Sequence, residues 1–249
     1  MRLKIVAALV FAFATMVGAR AASASCSNAS LSGQFGYFHG RPSGAAGARV
    51  LVGQMNADGK GNVSGSWTMS LNGTITSGSF TGTYSIAKNC TGTMTLSNED
   101  MSPADYTIVL DDSHHGFQML QTDSGTAQPG FAIAQGNANC ALTGKKQTLA
   151  TNLLGTLYPS DDIEAIVGQV TLDGKGNISG SETFSIGGVI TESSAAGTYT
   201  LNENCTGTMQ ITPSGQATMN FNTVVVDGGK EVLLIESDNN TTVSGTAQE

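Results

Sequence analysis

Charged and aromatic residues are scarce in this chain. Of its 249 residues, 12% are charged, 6% are aromatic and five are proline, with a single Trp and three His. The low basic content, 11 Lys and Arg against 19 Asp and Glu, argues against nucleic acids and anionic membrane surfaces as partners. Because the His and Cys residues do not cluster, we predict no metal site and no cofactor. No G-x-S-x-G elbow stands with a placed His and acid, so no catalytic residue is predicted.

The N-terminus carries the one long apolar run. Basic residues precede an apolar stretch from Ile5 to about Val17, and residues 22–24 read Ala-Ser-Ala, the small-x-small form of a signal-peptidase site. We predict a signal peptide over residues 1–24, a secreted or periplasmic protein and no membrane span. Removal of this segment leaves eight basic against 19 acidic residues, a net charge of about −11. Lipid attachment at Cys26 is the alternative, and Ser23 stands where Leu is usual.

An internal repeat organises the rest of the chain. Residues 52–96 and 167–211 align without a gap, and 26 of the 45 positions are identical. The segment Ser-Gly-Thr-Ala-Gln at 124–128 also recurs at 244–248, which suggests that the repeat continues nearly to the C-terminus. A period this long indicates duplicated domains rather than a solenoid of short units. We therefore predict two domains, at 25–138 and 139–249.

The four cysteines follow the same repeat. Cys26 corresponds to Cys140 and Cys90 corresponds to Cys205, so symmetry selects the disulfides Cys26–Cys90 and Cys140–Cys205. Disulfides agree with an exported chain. Cys140 lies in mid-chain, where it is no N-terminal lipid anchor, and its counterpart Cys26 is expected to share its structural role.

Each repeat breaks into about eight short runs with period-2 alternation, separated by turn residues. In the first repeat, we predict strands at 31–39, 48–57, 62–71, 75–87, 91–97, 104–111, 116–123 and 125–135. In the second, we predict strands at 149–158, 164–172, 177–186, 189–202, 206–212, 217–226, 231–237 and 241–248. Residues 58–62 and 173–177, both Asp-Gly-Lys-Gly-Asn, are predicted hairpin turns, because one Asp and one Asn supply few oxygens for a calcium loop. The segment with His114 and His115 is likewise interpreted as a turn rather than a metal site.

The alternation assigns one apolar face to each strand. Trp67, Met69 and Leu71 share a face, and Ser and Thr occupy the opposite face. A sheet with one dry face must cover that face, and eight meander strands do so by closing on themselves. The predicted fold is therefore all-β, with two tandem antiparallel up-and-down β-barrels. Two-sheet sandwiches are the alternative.

These segments carry a family resemblance. Asp58–Asn62, Gly82–Tyr84 and Asn89–Thr93, each repeated in the second half, resemble uncharacterised exported bacterial proteins rich in such Gly/Thr segments. Those proteins are similar to small barrels of the calycin, lipocalin-like or allene-oxide-cyclase-like kind. The resemblance implies a barrel fold and export. An isomerase or cyclase activity is implied by that fold alone.

The inferred barrel interiors supply the candidate binding residues. Strand parity places one set of aromatic and acidic side chains inward: Trp67, Phe80, Tyr84, Tyr106, Phe117, Glu182, Tyr199, Phe221 and Glu236. Glu182 replaces Trp67 in the second repeat, and a carboxylate inside a barrel would have a raised pKa. The alternative is that Glu182 lies solvated at a barrel mouth.

Three functional classes remain open from the sequence. The first is a non-catalytic exported module that binds a small apolar ligand inside a barrel. The second is a structural or cell-surface protein with solid barrels. The third is the isomerase or cyclase implied by the resemblance.

Overall fold

A computed structural model describes residues 25–41, 47–98, 102–111, 113, 115–136, 140, 142 and 144–249, and the predicted signal peptide lies outside these residues. The chain is all-β and forms two closed antiparallel barrels of eight strands. The first barrel contains β1 (Ser32–Arg41), β2 (Arg49–Asp58), β3 (Asn62–Leu71), β4 (Thr74–Ile86), β5 (Thr91–Ser97), β6 (Ala104–Leu110), β7 (Gly116–Gln121) and β8 (Pro129–Ala134). It closes through pairing of β8 with β1.

The second barrel repeats this arrangement. It contains β9 (Gln147–Leu157), β10 (Asp162–Leu172), β11 (Asn177–Ile186), β12 (Val189–Leu201), β13 (Thr206–Pro213), β14 (Met219–Val226), β15 (Glu231–Glu236) and β16 (Ser244–Gln248). It closes through pairing of β16 with β9. Closure confirms the predicted barrels, and the alternative of two-sheet sandwiches is wrong.

Side chains alternate between a barrel interior and an outer face, as period-2 strands require. The interior of the first barrel is an apolar cluster that includes Met55, Met94 and Ile108, each at most 1% exposed. The second barrel has a separate cluster around Leu149, Ile166 and Phe184. The predicted apolar faces are thus the inner faces.

The Asp-Gly-Lys-Gly-Asn segments form hairpin turns, as predicted. One Asp58 oxygen accepts hydrogen bonds from the backbone N–H groups of Lys60 and Asn62, and the other accepts from the Asn62 side chain. These bonds lower the pKa of Asp58 to about 2, and Asp173 makes the same set of bonds. Gly59 and Gly61 have positive φ values of 73° and 114°, which favour glycine.

The segment before the first strand closes one end of each barrel. In the first barrel, this plug contains Cys26, bonded to Cys90, and the buried Leu31, whose carbonyl oxygen accepts a 2.6 Å hydrogen bond from the Tyr84 hydroxyl. In the second barrel, Cys140 is bonded to Cys205, and Tyr199 donates to Leu142 at 2.9 Å. Both predicted disulfides are present, and Cys26 has the structural role expected of it. Two disulfides are typical of an oxidising, extracellular-type compartment.

One sequence match is not a structural equivalence. Phe117 pairs with Ala132, and its counterpart Val232 pairs with Ala247, so Ala132 corresponds to Ala247. Residues 124–128 therefore belong to the connection before β8, whereas 244–248 form β16. The prediction that these segments are repeat partners was wrong, and β8 begins at Pro129 rather than at residue 125. The repeat does reach β16, through matched Gly and Ala residues in β8 and β16.

The two barrels pack against each other through their outer faces. A third apolar cluster joins Val50 and Val52 of β2 to residues of β14 and β15 in the second barrel: Val224, Val226, Leu233 and Ile235. Polar contacts flank this cluster, including hydrogen bonds from Gln54 Nε2 to the Asn204 carbonyl oxygen at 2.6 Å and from Asn204 Nδ2 back to Gln54 Oε1 at 3.1 Å. The barrels thus share a buried contact of mixed character.

Candidate ligand pocket in the first barrel

A cavity of about 380 Å³ opens at the end of the first barrel opposite the plug. Strand register places this mouth beside the β1–β2, β3–β4, β5–β6 and β7–β8 connections. Its apolar wall consists of Tyr37, Leu51, Trp67, Met69, Phe80, Leu96 and Tyr106. The volume lies at the small end of the range of about 300–1,000 Å³ typical of ligand pockets.

Glycines in the wall make room for the large rings. A Cβ atom on Gly53 would lie 2.6 Å from the Tyr37 ring, and one on Gly78 would lie 2.7 Å from the Trp67 ring. Both distances are shorter than van der Waals contact. The rings therefore lie against bare backbone, and the cavity is the space that remains between the described wall residues.

Arg49 is a basic residue that lines the cavity. It is the first residue of β2, partly buried, and its Nη1 donates to Gln128 Oε1 at 2.6 Å and to Gln121 Oε1 at 3.4 Å. Its Nε lies 3.1 Å from Met69 Sδ. Among the residues that the structure describes, no carboxylate lies within 4.0 Å of its guanidinium group. The partners of this cation among the described residues are therefore neutral.

The aromatic groups around Arg49 are uncharged near neutral pH. His39 is 1% exposed, and burial, followed by the Arg49 charge, lowers its pKa to about 4. Its Nε2 lies 3.2 Å from the Gln128 carbonyl oxygen, and its ring meets Tyr106 edge-on. Burial raises the pKa of Tyr106 to about 12 and that of Tyr37 well above its usual value.

Asp123 is the acidic residue among the described residues that line the cavity. Its Oδ2 accepts hydrogen bonds from Gln121 Nε2 at 2.8 Å and from the Asp105 backbone N–H at 3.1 Å. The Gln121 bond is the main reason that its pKa is lowered. The mouth therefore holds a cation and an anion that are separated rather than paired.

The structure brings together only some of the predicted ligand residues. Trp67, Phe80 and Tyr106 line the cavity. Phe117 lies deeper and packs edge-on against Phe35, with ring centroids 5.8 Å apart, and Tyr84 holds the plug at the other end. In the second barrel, Tyr199 holds the equivalent plug and Phe221 is a core residue with 1% exposure.

Sequence reasoning missed Tyr37, His39 and Arg49 as residues of this cavity. The signal for Arg49 was available, because it shares the period-2 face of Leu51 and Met55, where an Arg is unexpected. His39 is the last residue of the strand predicted at 31–39. It shares the period-2 face of Phe35 and Tyr37, and its pairing with Leu51 places it inward.

The second barrel has glutamates at three positions whose counterparts line the cavity of the first barrel. Strand register equates Arg49, Trp67 and Gln121 with Glu164, Glu182 and Glu236. All three glutamates are buried, with exposures of 5%, 2% and 6%. Glu182 points inward, as strand parity predicts. It is not a solvated mouth residue.

Burial raises the pKa of each of these glutamates. The value for Glu236 reaches about 8, although Thr241 Oγ1 donates a hydrogen bond to its carboxylate at 2.9 Å. The two Glu182 oxygens are buried, and they have no hydrogen-bond partner among the described residues. The inward hydroxyls of Thr151 and Thr223 are also buried and also have no hydrogen-bond partner among the described residues. Burial without a hydrogen-bond partner disfavours the charged form of Glu182, which is the cause of its raised pKa.

The fold places the chain among tandem closed β-barrel proteins. Comparison with family models gives no match, and comparison with curated proteins gives none of significant similarity. Within the described residues, no helix has the length and apolar character needed to cross a membrane. The chemistry of the cavity is therefore the basis for a functional proposal.

Proposed function

We propose that the protein is an exported, non-catalytic binding module whose first barrel holds one small apolar molecule with a hydrogen-bond-accepting, preferably anionic, end group. The observation that carries the proposal is the aromatic-lined cavity of about 380 Å³ with Arg49 at its mouth. Such a cavity buries an apolar body, while a guanidinium group with neutral partners binds an acceptor. Export is supported by the N-terminal signal pattern and by the two disulfides.

The two domains of the proposal are residues 25–138 and 139–249, with residues 1–24 removed. On this proposal the second barrel is a partner domain rather than a second copy of the site, because its equivalent positions hold buried glutamates. Of the predicted ligand residues, the proposal keeps Trp67, Phe80 and Tyr106 and adds Tyr37 and Arg49.

The single Trp of the chain makes the test direct. Trp67 lines the cavity, so its emission reports occupancy without a label. We expect decanoate, which has an apolar tail and a carboxylate, to shift this emission saturably, and native mass spectrometry to show one molecule per chain. A Trp67→Phe variant provides the optical blank. An emission that does not saturate, together with no retained decanoate in the mass spectrum, would refute the proposal.

A further inference from the structure

The contact between the two barrels joins two different outer faces. We call the first barrel's side of this contact the A face, and it is formed by Val50 and Val52, with Phe38, Phe131 and Ile133 packed against them. We call the β14–β15 side the B face, and in the second barrel it is formed by Val224, Val226, Leu233 and Ile235, all buried. Because the chain is duplicated, each barrel has positions equivalent to both faces. The internal contact uses the A face of the first barrel and the B face of the second, so the B face of the first barrel and the A face of the second are unused.

Both unused faces are exposed and apolar in part. Strand register places the unused A face of the second barrel at Ala165 and Val167, with Asn152, Thr246 and Gln248 in the places of Phe38, Phe131 and Ile133. Leu154 and Ile163 lie beside Ala165 on the same outer face. Leu154, Ile163 and Val167 are 47%, 52% and 59% exposed. Ile190, which is 64% exposed, extends this patch, because it lies in one cross-strand row with Ala165 and Leu154.

The unused B face of the first barrel lies on β6 and β7. Its positions are Val109, Asp111, Gln118 and Leu120, in the places of the four buried residues of the internal contact. Val109 and Leu120 are 45% and 49% exposed. Of the eight large hydrophobic side chains that are exposed in the described part of the chain, three occupy unused-face positions and three more, Leu154, Ile163 and Ile190, lie beside the unused A face, so their placement is not scattered.

We infer that the protein associates with itself head to tail, the unused A face of one copy docking on the unused B face of the next. The occupant is a second copy of this chain because the internal contact already shows this pair of faces packed together. The inference does not depend on the proposed ligand.

The composition of the unused faces makes this contact weaker than the internal one. Asp111 and Gln118 stand where Val226 and Leu233 are fully buried, and on the other side Asn152 stands where Phe38 packs. Polar residues thus replace apolar ones on both sides. Each copy has both an unused A face and an unused B face, so a dimer still carries one free face of each kind. Assembly therefore continues into an open chain or closes into a ring. We expect it to be reversible and to depend on concentration.

The test is the mass of the chain from Ser25 in analytical ultracentrifugation over a wide concentration range. We expect the weight-average mass to rise past that of a dimer. Val167→Glu and Leu120→Glu each place a charge on one unused face, and each variant alone should stay monomeric at concentrations at which the parent assembles. Val189→Glu is the matched control, since Val189 is 70% exposed and points to the other face of its strand. This variant should assemble like the parent.

Mixing the two variants distinguishes a head-to-tail contact from a two-fold one. The Leu120→Glu chain keeps a working A face and the Val167→Glu chain keeps a working B face, so the mixture should form dimers and nothing larger. Circular dichroism shows whether each variant is folded. A parent that stays monomeric at every concentration would overturn the inference, and so would a Leu120→Glu variant that still assembles like the parent.

Discussion

The two barrels share their strands, turns, plugs and disulfides, which we call the frame. They differ in the inward side chains near the end opposite the plug. Turn residues, plug tyrosines and disulfides occur in both at equivalent positions, whereas the open end of the first barrel carries Arg49 and Trp67 and the second carries Glu164 and Glu182 there. The frame depends on main-chain geometry, which few residue types satisfy. The interior near the mouth depends only on filling space and on satisfying polar groups, so duplication has left it free to diverge.

The largest expected difference between the barrels is their response to pH. The pKa of Glu236 is raised from 4.5 to about 8 in the folded protein, so between these values the folded state holds a proton that the unfolded chain has released. Stability from this group is complete below about pH 4.5 and falls as the pH rises to 8. At about 1.4 kcal/mol per pKa unit, the loss reaches about 4–5 kcal/mol.

Urea unfolding from pH 4 to pH 9 measures this loss. We expect Glu236→Gln to remove the part of the pH dependence that this group contributes and to raise stability at pH 9, while the part from the buried Glu164 and Glu182 remains. Gln121→Glu, at the equivalent position of the first barrel, is the contrasting variant: Arg49 Nη1, 3.4 Å from Gln121 Oε1, would pair with the new carboxylate, so no alkaline loss should appear there. An unchanged pH profile in Glu236→Gln would contradict the raised pKa.

The disulfides test whether the frames are equivalent. They close loops of similar length, with sequence separations of 64 and 65, so on the chain-entropy model each restricts the unfolded chain by about 4 kcal/mol. We expect Cys26→Ala/Cys90→Ala and Cys140→Ala/Cys205→Ala to lower the free energy of unfolding by similar amounts in urea. A loss confined to one pair would show that the plugs are not equivalent.

Arg49 sharpens the comparison of the interiors. A hydrogen bond to a charged group contributes about 1.5–3 kcal/mol, so Arg49→Gln should weaken decanoate binding by about 10- to 100-fold. Binding of decanol, which has the same tail and no charge, should change far less. Glu164→Gln, at the equivalent position of the second barrel, is the matched control and should leave both affinities unchanged in the Trp67 titration.

The smallest expected effect concerns the plugs. Tyr84→Phe and Tyr199→Phe each remove one hydroxyl hydrogen bond, to Leu31 and to Leu142, at a cost of about 1 kcal/mol. Thermal unfolding should show similar decreases in melting temperature for the two variants. An unchanged melting temperature would show that the tyrosine hydroxyl does not stabilise the plug.

The frame was largely predictable from the sequence. Predicted bounds coincide with β3, β5 and β11 and differ by one to three residues for most other strands, because alternation and Gly-rich turns mark both ends of each run. The disulfides followed from the repeat alone. At β8 the prediction failed, because a short identical segment was taken as an alignment where strand pairing gives a different one.

The inward side chains, and the cavity that they form, were less predictable than the frame. Parity placed Glu182 and Glu236 inside, but whether an interior is open or filled depends on side-chain volumes across all eight strands. The match of Trp67 to the bare backbone of Gly78 is an example, since it depends on cross-strand register. The contact between barrels was not predicted either, because Val50 and Val52 lie on the outer face, which is rich in Ser and Thr on β3, β4 and β5.

Closure through β8 and β1 has a consequence for how such a chain can grow. Phe35, near the start of β1, pairs with Ala134, the last residue of β8, so the chain leaves the first barrel close to where it entered. The second barrel has the same geometry between β9 and β16. Each barrel is therefore a module whose two chain ends lie close together. A gene that carries it can gain or lose whole barrels without changing the strand order within the remaining ones.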